Sequence, residues 1–200
     1  MSLFRKIFGT STDASAKEDK DQESSYLPEQ TIPVDELFML NFKKNGGKFL
    51  YCENIGEVRE QFENILEEND WFECEAACFE PKLFTMLDEN RLDYVNVTRP
   101  KFLLASCENL IADEGSVLFS SIQIKQHKPN DLPVNIVILA TTSQMVETKS
   151  DGMRAIKNKY KKDYPTNITT IKYFDNAKEE DFLQYGSSTK NLYLLLLEDL

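Results

Sequence analysis

The chain has 200 residues, of which 41% are hydrophobic and 28% are charged, and its formal net charge is −11. This length and this balance are typical of one globular domain with a sizeable core, with or without tails. The acidic charge excludes unaided nucleic-acid binding and argues against general adsorption to anionic membranes, because both need a dominant basic face.

The chain offers few of the histidine and cysteine side chains that usually hold transition metals. His127 is the single histidine, and its lysine-flanked sequence is typical of a surface loop. No signal peptide is apparent, and the cysteines fit neither a zinc ribbon nor an iron–sulfur motif: Cys52, Cys74, Cys78 and Cys107. We therefore expect a cytoplasmic protein with reduced, buried thiols and with no metal, iron–sulfur cluster or other cofactor.

Two segments precede the predicted domain. Residues 1–8, "MSLFRKIF", place their apolar side chains on one helical face: Leu3, Phe4, Ile7 and Phe8. This segment is expected to dock weakly on a partner groove or, at most, peripherally on a membrane, unless it only caps the protein's own core. Residues 9–31 are polar and acidic, and they predict a disordered linker because they lack the apolar surface that would offset the entropy of ordering.

Residues 32–200 alternate between helical and strand-like patterns. "PVDELFMLNFKKNGG" predicts a helix that ends at its glycines, and "NIGEVREQFENILEEND" predicts an amphipathic helix capped by Asn54. A later helix carries Met153, Ile156 and Tyr160 on one side. The strand-like stretches are KFLYC, WFECEA, LDYVNV, FLLASC, SVLFSS, VNIVILAT, ITTIKYF and LYLLLL. This alternation predicts an α/β domain with a largely parallel sheet and helices on both faces.

Three polar turns are candidate ligand sites. The first is Asp113, Glu114, Gly115 and Ser116, where the carboxylates are candidate catalytic groups and the glycine and serine candidate ligand-binding residues. The second follows the most apolar strand and contains Thr141, Thr142 and Ser143. The third contains Gly186, Ser187, Ser188 and Lys190. Each is also explained as an ordinary turn or helix cap, and a shared ligand site requires that the three turns converge.

The stretches "IADEGSVLFSS" and "DLPVNIVILATTSQMVE" resemble the lactate-utilisation (LUD) domain family. The matching positions are Ala112 to Ser116, Leu132-Pro133, Ile136 to Leu139, and Met145-Val146. The resemblance spans about residues 34–200. It implies a fold like that of the sugar-phosphate isomerases and coenzyme A transferases. It also implies a role in bacterial lactate oxidation beside iron–sulfur protein partners, as one of the short members that hold no cluster.

The chain departs from the family pattern near its end. If Gly186 is matched to the first glycine of the family's last turn, Ser188 replaces the usual histidine, and Lys178 replaces an aspartate further upstream. We therefore expect a non-redox subunit or a module that binds a small anionic metabolite, and not a self-sufficient enzyme. The alternatives are an acyl- or sugar-phosphate-processing enzyme that uses Asp113 or Glu114, and a tethered interaction protein without an active site.

Overall fold

The computed structural model describes residues 32–174 and 190–199. The chain separates into two units between Thr31 and Ile32, and all described residues belong to the second unit. The predicted segments 1–8 and 9–31 lie outside the described residues, as do Gly186, Ser187 and Ser188 of the third candidate turn.

Helices and strands alternate along most of the described chain, which confirms the predicted α/β class. The helices are α1 (Val34–Lys44), α2 (Ile55–Glu68), α3 (Phe84–Glu89), α4 (Ser121–Ile124) and α5 (Lys149–Tyr160). The strands are β1 (Lys48–Cys52), β2 (Ala76–Ala77), β3 (Phe102–Ser106), β4 (Asn109–Ile111), β5 (Ser116–Ser120), β6 (Asn135–Thr141), β7 (Met145–Val146), β8 (Ile168–Ile171) and β9 (Asn191–Leu197). Within the described ranges, no helix combines the length and the apolarity that a membrane crossing needs.

The described strands form two sheets. The five-stranded sheet has the order β1-β9-β6-β3-β2, and all of its neighbours are parallel. The four-stranded sheet has the order β7-β4-β5-β8; β4 runs parallel to β7, while β5 is antiparallel to both β4 and β8. The sequence alternation predicts the parallel sheet but not the mixed one.

The two sheets and their helices form successive layers. One face of the five-stranded sheet packs against α2 and α3 through a core that includes Phe62, Leu66 and Phe102. The opposite face packs against α1 and the four-stranded sheet, where Phe42 and Phe119 share a second core. A small cluster of Ile111, Leu118 and Ile156 then joins the outer face of the four-stranded sheet to α5. Both faces of the parallel sheet are therefore covered, which explains its near-continuous apolar strands.

Local signals decide several element ends. The side chain of Asn54 accepts a hydrogen bond from the Glu57 backbone N–H at 3.0 Å, and this cap confirms the predicted start of α2. The strands predicted at WFECEA and LDYVNV are largely wrong, since only Ala76 of these stretches lies in a strand and the two stretches meet only through a parallel bridge between Glu75 and Asp93. Positive φ angles at Glu73 and Asn96 interrupt an extended backbone there.

Candidate functional site

Polar side chains gather at the carboxyl edge of the five-stranded sheet. In parallel α/β sheets this edge is where ligands usually bind, because loops from several strands meet there. β3 ends at Ser106, β6 ends at Thr141, and β9 ends at Leu197, so the residues that follow these strands share one edge. Most of the polar groups that are buried in the described structure lie at or next to it, including Glu80, Ser106 and Glu108.

The first cluster at this edge joins Glu80, Lys82 and Ser106. Glu80 is only 4% exposed and accepts two hydrogen bonds from Ser106, one from its backbone N–H and one from its hydroxyl, both at 2.7 Å. The Lys82 ammonium lies 3.1 Å from the same carboxylate and 2.9 Å from Ser106 Oγ. Because the Lys82 side chain is 64% exposed, the cluster reaches from a buried carboxylate to the solvent.

The second cluster surrounds Glu108, whose side chain is 1% exposed. Its Oε1 accepts hydrogen bonds from Ser120 Oγ at 2.6 Å, Tyr160 OH at 2.8 Å and Gln123 Nε2 at 3.0 Å. Its Oε2 accepts a hydrogen bond from Lys159 Nζ at 2.8 Å. Burial acts to raise the pKa of Glu108, but these donors outweigh burial and hold the pKa below its ordinary value.

Cys107 lies between the two clusters at the end of β3. It is 2% exposed, and the charges of Glu108, Glu80, Lys82 and Lys159 all act on its thiol. Burial, followed by the two carboxylates, raises the pKa of Cys107 far above its ordinary value. The thiol therefore stays protonated and is not a nucleophile, because reactivity needs the thiolate.

The second candidate turn binds a carboxylate of its own chain. Asp199, which follows β9, accepts hydrogen bonds from Thr142 Oγ1 at 2.9 Å, the Ser143 backbone N–H at 2.9 Å and Ser143 Oγ at 2.6 Å. Burial acts to raise the pKa of Asp199, but the donors of Ser143, Thr141 and Thr142 lower it to about 2. The turn therefore binds an anionic group, as predicted, but that group is the Asp199 carboxylate of the same chain. A role in binding an external ligand stays a prediction.

The first candidate turn packs against α1. The side chain of Asn45 donates to the Glu114 backbone carbonyl at 2.8 Å, and Asn41 donates to the Ala112 carbonyl at 2.8 Å. Gly115 has a φ of 60°, and a Cβ there would lie 2.3 Å from the Asn41 backbone carbon. This close approach gives the glycine a structural reason, while a ligand role for Asp113, Glu114, Gly115 and Ser116 stays a prediction.

The described parts of the three turns do not converge. Lys190 directly precedes β9 and so lies at the amino edge of the five-stranded sheet, whereas Thr141 to Ser143 follow β6 at the carboxyl edge. The first turn follows β4, and residues 142–144 precede the parallel strand β7, so these two turns also lie at opposite strand ends. Lys190 is 1% exposed, and its ammonium donates to the Leu132 carbonyl at 2.8 Å.

The described residues contain no group of three or more histidine, cysteine or carboxylate side chains arranged to hold a metal ion. The side chains gathered at the carboxyl edge offer instead hydroxyl groups, an amide and two ion pairs. Such groups bind polar organic molecules through hydrogen bonds and bind anions through the exposed lysines.

The fold is similar to that of a solved structure, a DUF162 family protein from Deinococcus radiodurans. The superposition has a TM-score of 0.55 and 13% sequence identity, and it covers 83% of this chain and 96% of the other. At this identity the similarity concerns the fold alone. No family model matches the chain, and no curated protein matches its sequence.

The Glu80 and Glu108 clusters escape prediction from single motifs, because each combines side chains from distant segments. Glu108 and Tyr160, for example, are 52 positions apart. One usable signal is the run Ser106, Cys107 and Glu108, which places polar groups directly after a buried strand.

Proposed function

We propose that this protein is a LUD-like module that binds a small organic anion at the carboxyl edge of its five-stranded sheet. The observation that carries the proposal is the pair of buried carboxylates, Glu80 and Glu108, each joined to a lysine that stays more than half exposed. The resemblance of "IADEGSVLFSS" to the LUD family and the fold shared with the DUF162 protein support it.

The ion pairs fix the direction of the two lysines. Glu80 holds the Lys82 ammonium at 3.1 Å and Glu108 holds the Lys159 ammonium at 2.8 Å, while 64% and 56% of the lysine side chains are exposed. Each ammonium has three donors, so donors remain for a ligand carboxylate on the solvent side. Holding the cations in place before binding lowers the entropy lost when the ligand arrives.

The hydroxyl groups nearby favour a ligand that carries a hydroxyl as well as a carboxylate. Ser106 Oγ lies within hydrogen-bond distance of Lys82 Nζ, and Tyr160 OH shares Glu108 with Lys159. A 2-hydroxy acid presents both groups to such a surface. The family resemblance points to lactate, and an iron–sulfur protein of lactate oxidation is the corresponding partner proposal.

The test is titration of the full chain with L-lactate, followed by calorimetry and ligand-observed NMR. We expect Lys82→Met and Lys159→Met each to weaken binding about tenfold, the size of one lost charge-assisted hydrogen bond. Lys157→Met is the matched control, because Lys157 is an exposed lysine on the same helix as Lys159. Equal weakening by the control, or no saturable binding by the unaltered protein, would reject the proposed function.

A carboxylate-based acyl-processing enzyme is the second candidate. It is favoured by the 2.7 Å contact between Glu80 Oε1 and the Ser106 hydroxyl, since a carboxylate next to a hydroxyl is a base next to a nucleophile. The carboxylate is then Glu80 and not Asp113 or Glu114. Hydrolysis of p-nitrophenyl acetate that is lost in both Ser106→Ala and Glu80→Gln, but kept in Asp113→Asn, would support this candidate over simple binding.

A further inference from the structure

A cleft of about 230 Å³ lies beside β2, at the edge of the five-stranded sheet. Its walls come from the β2 segment, the loop before β3, and the segment between α4 and β6: Ala77, Cys78, Phe79, Tyr94, Val97, Pro100, His127, Asp131, Leu132 and Pro133. Drug-sized ligands fill larger pockets of about 300 Å³ or more, so this cleft has room for one or two fused rings.

The free edge of β2 turns hydrogen-bonding groups toward this cleft. The Ala76 backbone N–H donates outward, away from β3, to the Asp93 carbonyl at 2.8 Å. Cys78 directly follows β2. Continuing the alternation of the strand by one residue turns its N–H and C=O outward as well, because the N–H and C=O of every second residue point to the same side. Among the described residues, no backbone hydrogen bond joins Cys78 to another segment. One donor and one acceptor therefore face the cleft side by side.

An aromatic wall stands next to these backbone groups. The rings of Phe79 and His127 are stacked, with 5.4 Å between centroids and 20° between planes. Prolines at positions 100 and 133 add rigid apolar surface on other sides of the cleft. Flat apolar walls of this kind favour a planar ring over a flexible chain, because a ring stacks on them and loses little conformational freedom.

The far wall of the cleft is held by buried contacts. Lys190 donates to the Leu132 carbonyl at 2.8 Å, and the Asp131 backbone N–H donates to the Lys128 carbonyl at 2.9 Å. These bonds fix Asp131 and Leu132, both of which line the cleft. The exposed Asp131 carboxylate stands at the rim, and its charge is balanced by its electrostatic interaction with the Lys190 ammonium, so the cleft carries no dominant charge and suits an uncharged ligand.

We propose that this cleft binds an uncharged planar heteroaromatic ring that carries a hydrogen-bond donor next to an acceptor, in the manner of a free nucleobase. The ring packs against the Phe79–His127 pair, and its donor and acceptor pair with the C=O and N–H of Cys78. An exposed strand edge binds an added strand through the same pair of backbone hydrogen bonds, and here a small molecule takes the place of that strand. The residues that line the cleft include none of the side chains of the Glu80 and Glu108 clusters, so the proposal does not depend on the function proposed for the carboxyl edge.

The probe for this site is adenine, whose amino group and ring nitrogen supply the donor and the adjacent acceptor. Titration of the full-length protein with adenine, followed by amide NMR, should shift the Cys78 and Phe79 resonances in a saturable way. N6,N6-dimethyladenine lacks the donor, and we expect it to bind at least tenfold more weakly. Adenosine monophosphate should also bind at least tenfold more weakly, because its ribose and phosphate exceed the room in a cleft of about 230 Å³.

Matched substitutions locate the site. Val97→Trp fills the cleft and should abolish adenine binding, whereas Val95→Trp should leave it unchanged, since Val95 is 71% exposed and does not line the cleft. Adenine binding that survives Val97→Trp, saturates without shifting Cys78 and Phe79, or is equalled by either analogue would overturn the proposal. So would the absence of saturable binding. The shifts in the unaltered protein decide the question if Val97→Trp fails to fold. L-lactate binding is the readout of the other site, so the two proposals fail separately.

Discussion

Replacing Glu108 by glutamine tests whether the buried carboxylate holds four elements together. Glu108 follows β3 and binds Ser120 at the end of β5, Gln123 in α4, and both Lys159 and Tyr160 in α5. Glu108→Gln keeps the shape of the side chain but removes its charge, and its amide group then faces one of the former donors. We therefore expect a loss of stability with little change in secondary structure.

The magnitude follows from the bonds. A glutamine oxygen in the place of Oε1 keeps its three donors, but each bond becomes neutral and loses roughly 1 kcal/mol. The half-exposed Lys159 moves into solvent and adds little, because exposed ion pairs are worth about 0–1 kcal/mol. Removing the charge also relieves the cost of burying the carboxylate, which offsets part of this loss, so Glu108→Gln should lower the free energy of unfolding by about 2 kcal/mol at pH 7.

Urea unfolding of the full chain, followed by the fluorescence of the single, buried Trp71, measures this loss. Glu63→Gln on the exposed face of α2 is the matched control and should change stability by about 0.5 kcal/mol or less. The pKa of Glu108 is lowered on folding, so its contribution is present above the unfolded pKa of about 4.3 and is lost as the pH falls further. A loss below about 1 kcal/mol, or one that does not shrink in acid, would refute this reasoning.

Two further substitutions test contacts at the turns. Gly115→Ala should lower the free energy of unfolding by about 2–5 kcal/mol, because a positive φ and an overlap with the α1 backbone add together. Gly56→Ala at the exposed start of α2 should change it by about 1 kcal/mol or less in the same urea assay, because its Cβ meets only the Asn54 side chain, at 3.0 Å. Ser143→Ala should raise the pKa of Asp199 from about 2 toward its ordinary value, whereas Ser150→Ala on α5 should leave it unchanged. Carboxyl-carbon NMR measures this pKa. An unchanged pKa in Ser143→Ala would show that the hydrogen bonds of Ser143 do not cause the shift.

Local sequence patterns predict the helix starts and strands that depend on a single segment of the chain. Asn54 and Glu57 are three positions apart, and the cap they form starts α2 where the sequence places it. The near-continuous apolar run of β6 likewise predicts a strand that is buried on both faces, because strands of parallel sheets are usually covered on both sides. These elements rest on local chemistry and repeat across proteins.

The candidate site is assembled by pairing between distant segments of the chain, and local sequence patterns do not predict which segments pair. The glycine and serine of the Gly115 turn suggest a ligand site, because ligand-binding loops often contain such residues. In the structure, however, Gly115 is needed because the α1 backbone approaches it closely. Lys190 and Thr141 both flank strands of one sheet, but only the parallel pairing of β6 and β9 shows that they lie at opposite edges. Glu80 reaches Ser106 because β2 pairs with β3, a pairing of two residues that the sequence does not reveal.

The position of β9 has a consequence for how the chain folds during synthesis. β9 is the last described strand in the sequence, yet it lies between β1 and β6, and β1 has no other strand neighbour within the described sheets. β1 therefore cannot join the five-stranded sheet until β9 has been synthesised, which happens after the other described strands. Until then the edge of β1 that pairs with β9 stays open to other chains, so this is the stage at which slow folding and aggregation compete.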